Sequence, residues 1–232
     1  MTHTFSNNYS MPEFWKHIDK TQIHSVAEVG SLHALDALQL HQMTGKPVFA
    51  FEADPDSANI CRKNVEDSKE EDVTVVESAV CTVDGTIDYW SVDKKKYANT
   101  GASSMYYHTF STHSPDDPEY KHPCIQKKVT VPSVRLDTYF ESKTIPNLLC
   151  MDVQGAELEV LKGAGERLRE VKYIIAECSF NTGYKNGVNF PELHDYLQKH
   201  GFKFVYSTLH KDTFPRQTSP YRTEFDALYL KS

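Results

Sequence analysis

The sequence predicts an α/β fold with a mostly parallel seven-stranded sheet, helices on both faces and an antiparallel strand pair near the C-terminus. Three observations carry that expectation. Runs rich in Val, Ile, Phe and Ala alternate with helix-period patterns, as in βαβ units. Residues 148–164, Leu-Leu-Cys-Met-Asp-Val-Gln-Gly-Ala-Glu-Leu-Glu-Val-Leu-Lys-Gly-Ala, pass from an apolar run through an acidic tip and a glycine into a three-residue apolar recurrence, which reads as strand, turn and helix. Gly30 ends one apolar run, and Glu52 ends the next about twenty residues later, as at the ligand-binding edge of a wound parallel sheet.

The elements follow in order. Residues 11–20 read as a short leading helix, 25–29 as the first strand, and 31–44 as a helix with Leu32, Leu35 and Leu38 on one face. Residues 47–52 form the second strand. A helix over 56–67 is opened by Asp54-Pro55, a cap followed by a first-turn proline, and 73–77 form the third strand. Asp84-Gly85 is a hairpin signal, with 86–90 and 127–131 as strand-like runs on either side of an irregular stretch over 92–126. A stretch that long inside a compact domain is usually functional or disordered, and here it is expected to serve as a lid. The sheet resumes at 148–151 and 171–177; a helix over 191–200 stops at Gly201, and 202–208 and 225–230 form the antiparallel pair.

With 232 residues and 39% apolar content, the chain can bury one sizeable core, and a single domain over 1–232 is expected. Twenty-five Lys and Arg against 32 Asp and Glu leave a formal charge of -7, which disfavours a dedicated binder of nucleic acid or anionic membrane. A small-molecule or glycan partner fits that balance better. Five widely spaced cysteines without a Cys-x-x-Cys pair indicate neither a disulfide framework nor a zinc site. The first residues lack a basic patch followed by an apolar stretch, and no stretch reaches membrane-span length. A reducing, cytoplasmic setting is the expectation.

The candidate ligand is an adenosine compound. Gly30 allows close backbone approach, and Glu52 can accept the hydroxyl protons of a ribose. The positions after Gly30 are Ser31, Leu32, His33 and Ala34, so the Gly-x-Gly-x-x-Gly cradle for a pyrophosphate is missing. S-adenosylmethionine, which has a ribose and an adenine but no phosphate, suits the site better than a dinucleotide.

At this point the residues resemble the FkbM-type methyltransferases. Residues 151–164 look like that family's Asp-x-x-Gly-x-Glu strand-to-helix signature, with Asp152, Gly155 and Glu157 in the named places. Supporting matches are Val26 to Gly30, Phe51-Glu52-Ala53-Asp54-Pro55, Ser78-Ala79-Val80, Gly101-Ala102-Ser103-Ser104, Val134-Arg135-Leu136-Asp137 and Gly201-Phe202. The resemblance implies a Rossmann-like class I methyltransferase fold and methylation of a hydroxyl on a sugar, glycan or small metabolite. It implies a donor site at Glu28, Gly30, Ser31, Glu52, Ala53, Ala79 and Asp152. This chain departs from the family in a first motif poorer in glycine, and in Glu28 where an aspartate is common.

Asp152 is the first candidate for the base that takes a hydroxyl proton. Glu177, ending its strand, stands beside Asp152 if the two strands are neighbours, and two such carboxylates could share a proton or hold magnesium or manganese, which favour hard oxygen ligands. Glu157 is explained by its place in the first helical turn, where a negative charge suits the helix dipole. Ser103, Ser104, His108 and Arg135 are candidate substrate contacts; His33 is a candidate contact for the methionine carboxylate or the acceptor, and His108, His113 and His122 on the long stretch are candidate bases. A methyltransferase for an RNA cap or ribose would need a basic groove, for which Lys94-Lys95-Lys96 is the one concentrated run. A scaffold that binds donor without turnover is the non-enzymatic rival.

Overall fold

The computed structural model describes residues 8–95, 101–109, 126–209 and 224–232. Cys124, His113, His122, Lys96 and most of the expected lid lie outside them. In chain order the strands are β1 Val26–Val29, β2 Val48–Phe51, β3 Val73–Val76, β4 Ala79–Val80, β5 Gly85–Val92, β6 Gln126–Val134, β7 Leu148–Met151, β8 Tyr173–Ser179, β9 Phe202–Ser207 and β10 Glu224–Lys231. The helices are α1 Pro12–Trp15, α2 Leu35–Thr44, α3 Pro55–Ser68, α4 Leu136–Tyr139, α5 Glu157–Gly163 and α6 Phe190–Lys199.

Seven strands form one sheet in the order β3-β2-β1-β7-β8-β10-β9. Val26 lies opposite Val48 on one side and Leu148 on the other, in parallel register throughout. β10 is antiparallel to both β8 and β9. The terminal antiparallel pair is therefore present, with the last strand inserted between β8 and β9. β1 and β7 are buried at every position, as strands covered on both faces must be. Their side chains alternate: Ala27, Val29, Leu149 and Met151 join the core under α5 and α6, and Val26, Leu148 and Cys150 join the core with Phe14, Ala37 and Leu40.

Several local expectations change. The leading helix is one turn, Pro12–Trp15, flanked by 3-10 turns at Asn8–Ser10 and Lys20–Gln22. α2 begins at Leu35, because Leu32 and Ala34 take positive φ (52° and 57°) and keep the preceding residues in a loop. Its buried face is Ala34, Ala37 and Leu40, while Leu35 is exposed. Asp84-Gly85 makes a turn but no hairpin. β4 and β5 it connects both pair with β6, in a separate sheet ordered β4-β6-β5. α3 and α6 start where their caps dictate: Asp54 accepts from the N–H groups of Asp56 and Ser57, and Asn189 and Glu192 form a reciprocal capping box.

Among the described residues no helix is long and apolar enough to cross a membrane.

Candidate functional site

Chain order runs outward from β1 to β3 and returns to the other side of β1 at β7, so the sheet's switch point lies between β1 and β7. Ligands of open α/β sheets bind outside the carboxyl ends of strands at such a point. A cleft of about 240 Å³ opens there, walled by Gly30, Glu52, Ala53, Asp54, Ala79, Ser103, Asp152, Gln154 and Glu177, among others.

Gly30 shapes the floor. Its φ is +88°, and a Cβ built on it would lie 1.8 Å from the carbonyl oxygen of Asp152. The two strand ends approach so closely that only glycine fits. Asp152 N–H in turn donates to the carbonyl of Val29 at 2.9 Å, extending the ladder to the cleft edge.

Glu52 is held by backbone on both sides: Oε2 accepts from Leu32 N–H at 2.6 Å and Oε1 from Asp54 N–H at 2.7 Å. Burial pushes its carboxyl up to about 7, although the N–H groups of Asp54 and Leu32 favour the charged form. A carboxylate has about four acceptor sites, so these two bonds leave capacity for ribose hydroxyls.

Asp54 is a junction as well as a cap. Its Oδ2 accepts from Ser91 at 2.5 Å and from Ser103 at 3.0 Å, and its Oδ1 accepts from Lys94 at 3.0 Å. Burial pushes this carboxyl up, but the Ser91 and Lys94 bonds outweigh that and hold it below the usual carboxylate value. One side chain thus ties the start of the long insertion and its Ser103 to the donor edge of the sheet.

The strand-to-helix signature divides its roles. Glu157 is 3% exposed and points inward, where Oε1 accepts from the N–H groups of Val153 and Gly155, both at 3.2 Å. Burial pushes its carboxyl up to about 7. Asp152 faces the cleft. Glu177 does stand beside it, since β7 and β8 are parallel neighbours, and Gln154 spans the pair. The Gln154 amide nitrogen donates to Asp152 Oδ1 at 2.7 Å and to Glu177 Oε2 at 2.9 Å. On this pair, where magnesium or manganese was expected, the amide protons of Gln154 stand between the two carboxylates. Among the described residues no three His, Cys, Asp or Glu gather as a metal cage.

Other expected contacts fall elsewhere. Glu28, 1% exposed, lies beneath the floor and accepts from the Ser31 hydroxyl; burial pushes its carboxyl well up. Neither residue reaches the cleft wall. Ser103 does, with its hydroxyl engaged by Asp54 and by Val92 N–H. Ser104 is buried and donates to the carbonyl of Gln154 at 3.0 Å. His108 is buried edge-on against Tyr184, ring centroids 4.7 Å apart. Arg135 is turned away from the cleft, paired with Asp137 and donating to the Thr82 carbonyl. His33 lies on the loop after Gly30 and does not line the cleft.

The family profile described as Methyltransferase FkbM domain matches residues 25–204. The chain belongs to the FkbM methyltransferase family. Family membership makes it an S-adenosylmethionine-dependent methyltransferase. It is 26% identical over 179 residues to the 2-O-methyltransferase NoeI of Sinorhizobium fredii, an alignment covering 74% of this chain and 70% of that protein. Two solved structures share the fold. TrmK of M. capricolum, in complex with S-adenosyl-homocysteine, matches 99% of this chain and 70% of its own, at 13% identity and TM-score 0.50. Streptococcus pneumoniae Sp1610, described as a putative tRNA (m1A22) methyltransferase and bound to S-adenosyl-L-methionine, matches 96% and 73%, also at 13% and 0.50. At that identity the likeness is one of class I methyltransferase architecture.

Sequence reasoning missed two residues of this FkbM site, Gln154 and Tyr184, and read Asp54 only as a cap. Gln154 sits inside the signature, and its positive φ of 56° before Gly155 left no trace in residue type. Tyr184 arrives from a loop thirty residues away in sequence, and only the fold brings it in.

Proposed function

We propose that this FkbM methyltransferase transfers a methyl group to a hydroxyl of a sugar, glycan or small hydroxylated metabolite. The observation that supports this most is that Asp152, whose backbone meets Gly30, and Glu52 line the same cleft. Two carboxylates thus face one cavity. When bound, S-adenosylmethionine supplies a methyl group on a sulfonium, ready for in-line displacement. Gly30, Ala53 and Ala79 would line its pocket, with Glu52 on the ribose.

Asp152 has the role of general base. An aliphatic hydroxyl is a poor nucleophile until its proton leaves, so the acceptor oxygen takes the methyl group as its proton passes to the Asp152 carboxylate. Such assistance is worth roughly 10²- to 10⁴-fold. Holding the acceptor in near-attack geometry can supply about 7–11 kcal/mol more. The NoeI relation supports oxygen as the acceptor atom. Among the described residues that line the cleft none is Lys or Arg, and Lys94 is engaged by Asp54, so the described residues do not favour the RNA reading.

Calorimetric titration with S-adenosylhomocysteine tests the donor half, with NAD as the competing ligand. The expected result is binding that NAD does not match and that Glu52→Ala weakens. Labelled donor with a panel of neutral mono- and oligosaccharides tests the acceptor half. Asp152→Asn is expected to lower transfer about 10²- to 10⁴-fold with S-adenosylhomocysteine affinity retained. Full turnover in Asp152→Asn would refute the assignment of the base.

A further inference from the structure

We propose that Gln154 is the positioning residue of this centre and that Tyr184 sets it, so that the segment 101–109 of the insertion controls the orientation of the two cleft carboxylates. The inference rests on the reading of Asp152 as the base.

Gln154 is 8% exposed and takes a φ of 56°, a region that residues with a Cβ seldom adopt. Capping does not explain it, because the N–H groups of this turn are already satisfied by Glu157. What the conformation achieves is to aim an amide at the ends of two strands. Its nitrogen has two protons, and each meets one carboxylate: Asp152 Oδ1 on the edge of β7 at 2.7 Å and Glu177 Oε2 on β8 at 2.9 Å. The other end of the amide is fixed by Tyr184, whose hydroxyl is 2.7 Å from Oε1. Turning the amide over would set its oxygen against two carboxylate oxygens.

Tyr184 is in turn held by the insertion. Its hydroxyl, whose one proton goes to Gln154 Oε1, stands 3.1 Å from the Ala102 carbonyl, and its ring packs against His108. Around it, Thr109 N–H donates to the Gly183 carbonyl at 2.7 Å and Lys185 N–H to the Tyr107 carbonyl at 2.8 Å. Ser104 grips the backbone of Gln154 itself through its carbonyl. The chain of contacts therefore runs from the insertion through Tyr184 and Gln154 to Asp152 and Glu177. Because the amide engages Oδ1 of Asp152, Oδ2 is the oxygen left to take the acceptor's proton. A base held in one orientation by packed neighbours needs no reorganisation at the moment of reaction.

The test is side-chain amide NMR on the full ¹⁵N-labelled chain, with the Gln154 pair assigned by its loss in Gln154→Leu. Both protons are expected to exchange with solvent at least about tenfold more slowly than those of an exposed glutamine. Tyr184→Phe should remove about tenfold of that protection, the equivalent of one ordinary hydrogen bond, with the backbone spectrum preserved. Glu177→Gln, which does not depend on Tyr184, should release one proton of the pair more than the other. A Gln154 pair that exchanges as fast as a surface glutamine, or that ignores both substitutions, overturns the proposal. Titrating S-adenosylhomocysteine into the same samples reads the donor pocket separately: a protected amide without binding would count against the donor assignment alone.

Discussion

Replacing Gly30 with alanine joins two penalties that Gly45 and Gly163 present one at a time. Gly45 has a φ of +63° and open space where a Cβ would go, so Gly45→Ala reports the backbone term alone, about 1–2 kcal/mol. Gly163, inside α5, is the converse: a Cβ would lie 2.3 Å from the Cys81 carbonyl oxygen. Gly163→Ala carries an overpacking cost of about 1–3 kcal/mol, offset by about 1 kcal/mol of helix propensity. At Gly30 the left-handed φ and a 1.8 Å approach to the Asp152 carbonyl coincide, and the two terms together come to about 2–5 kcal/mol. Urea unfolding of the three variants gives the comparison. Function gives the second readout, since the atom that must yield belongs to Asp152. S-adenosylhomocysteine affinity should drop at least about tenfold in Gly30→Ala, the equivalent of about 1.4 kcal/mol, and stay at the native value in Gly45→Ala. If Gly30→Ala lost no more stability than Gly45→Ala and kept its affinity, the contact between the β1 and β7 ends would not be what requires glycine.

Three other outcomes are expected. Burial raises the folded-state value of Glu157 from 4.5 to about 7, so its contribution is fully present below about 4.5 and is lost as pH rises through about 7. Glu157→Gln should flatten the fall in Tm between pH 5 and 8, with a gain of up to about 3 kcal/mol at the upper end; an unchanged slope would count against the buried-acid explanation. Asp54→Ala removes a cap and leaves Lys94, 16% exposed, without its carboxylate. The expected loss is about 3 kcal/mol by urea unfolding, with Asp54→Asn between that and native. Gln154→Glu exchanges the bridging donor for a third carboxylate, so manganese titration followed by EPR should show saturable binding that native chain lacks. Equal binding by both would mean that the amide does not stand between the carboxylates.

How far the fold was legible depended on whether an element's cause was local. β1 and β7 read correctly because burial on both faces demands continuous apolar runs, and α3 because Asp54-Pro55 is a cap and a first-turn proline in sequence. The start of α2 was misplaced by several residues. Its delay comes from positive φ at Leu32 and Ala34, and neither residue type announces such a conformation. Asp84-Gly85 has hairpin chemistry, yet β6, which begins at Gln126, takes both strands that flank it, a choice made by partners far along the chain.

The site follows the same division. That Asp152, Glu52 and Gly30 line one cleft was legible because all three stand at strand ends beside a switch point of a wound sheet. Arg135, by contrast, is outside the cleft lining, paired with Asp137 two residues along the chain. The signature itself explains why family membership leaves the acceptor open. Gly155 has a φ of +91°, and a Cβ there would crowd the Gly187 backbone; Glu157 turns inward to hold the loop. Only Asp152 among the three defining residues faces the cleft. Two thirds of the motif therefore encodes a way of turning from β7 into α5, which any acceptor would need. Acceptor choice falls to what surrounds that turn, and in this chain the nearest such parts, Gln154, Tyr184 and the segment 101–109, lie at non-signature positions. Substitutions there should alter which acceptor is methylated while the donor site persists, and methylation profiles of variants of Tyr184 and of Met105, which lines the cleft, on one acceptor panel would show whether they do.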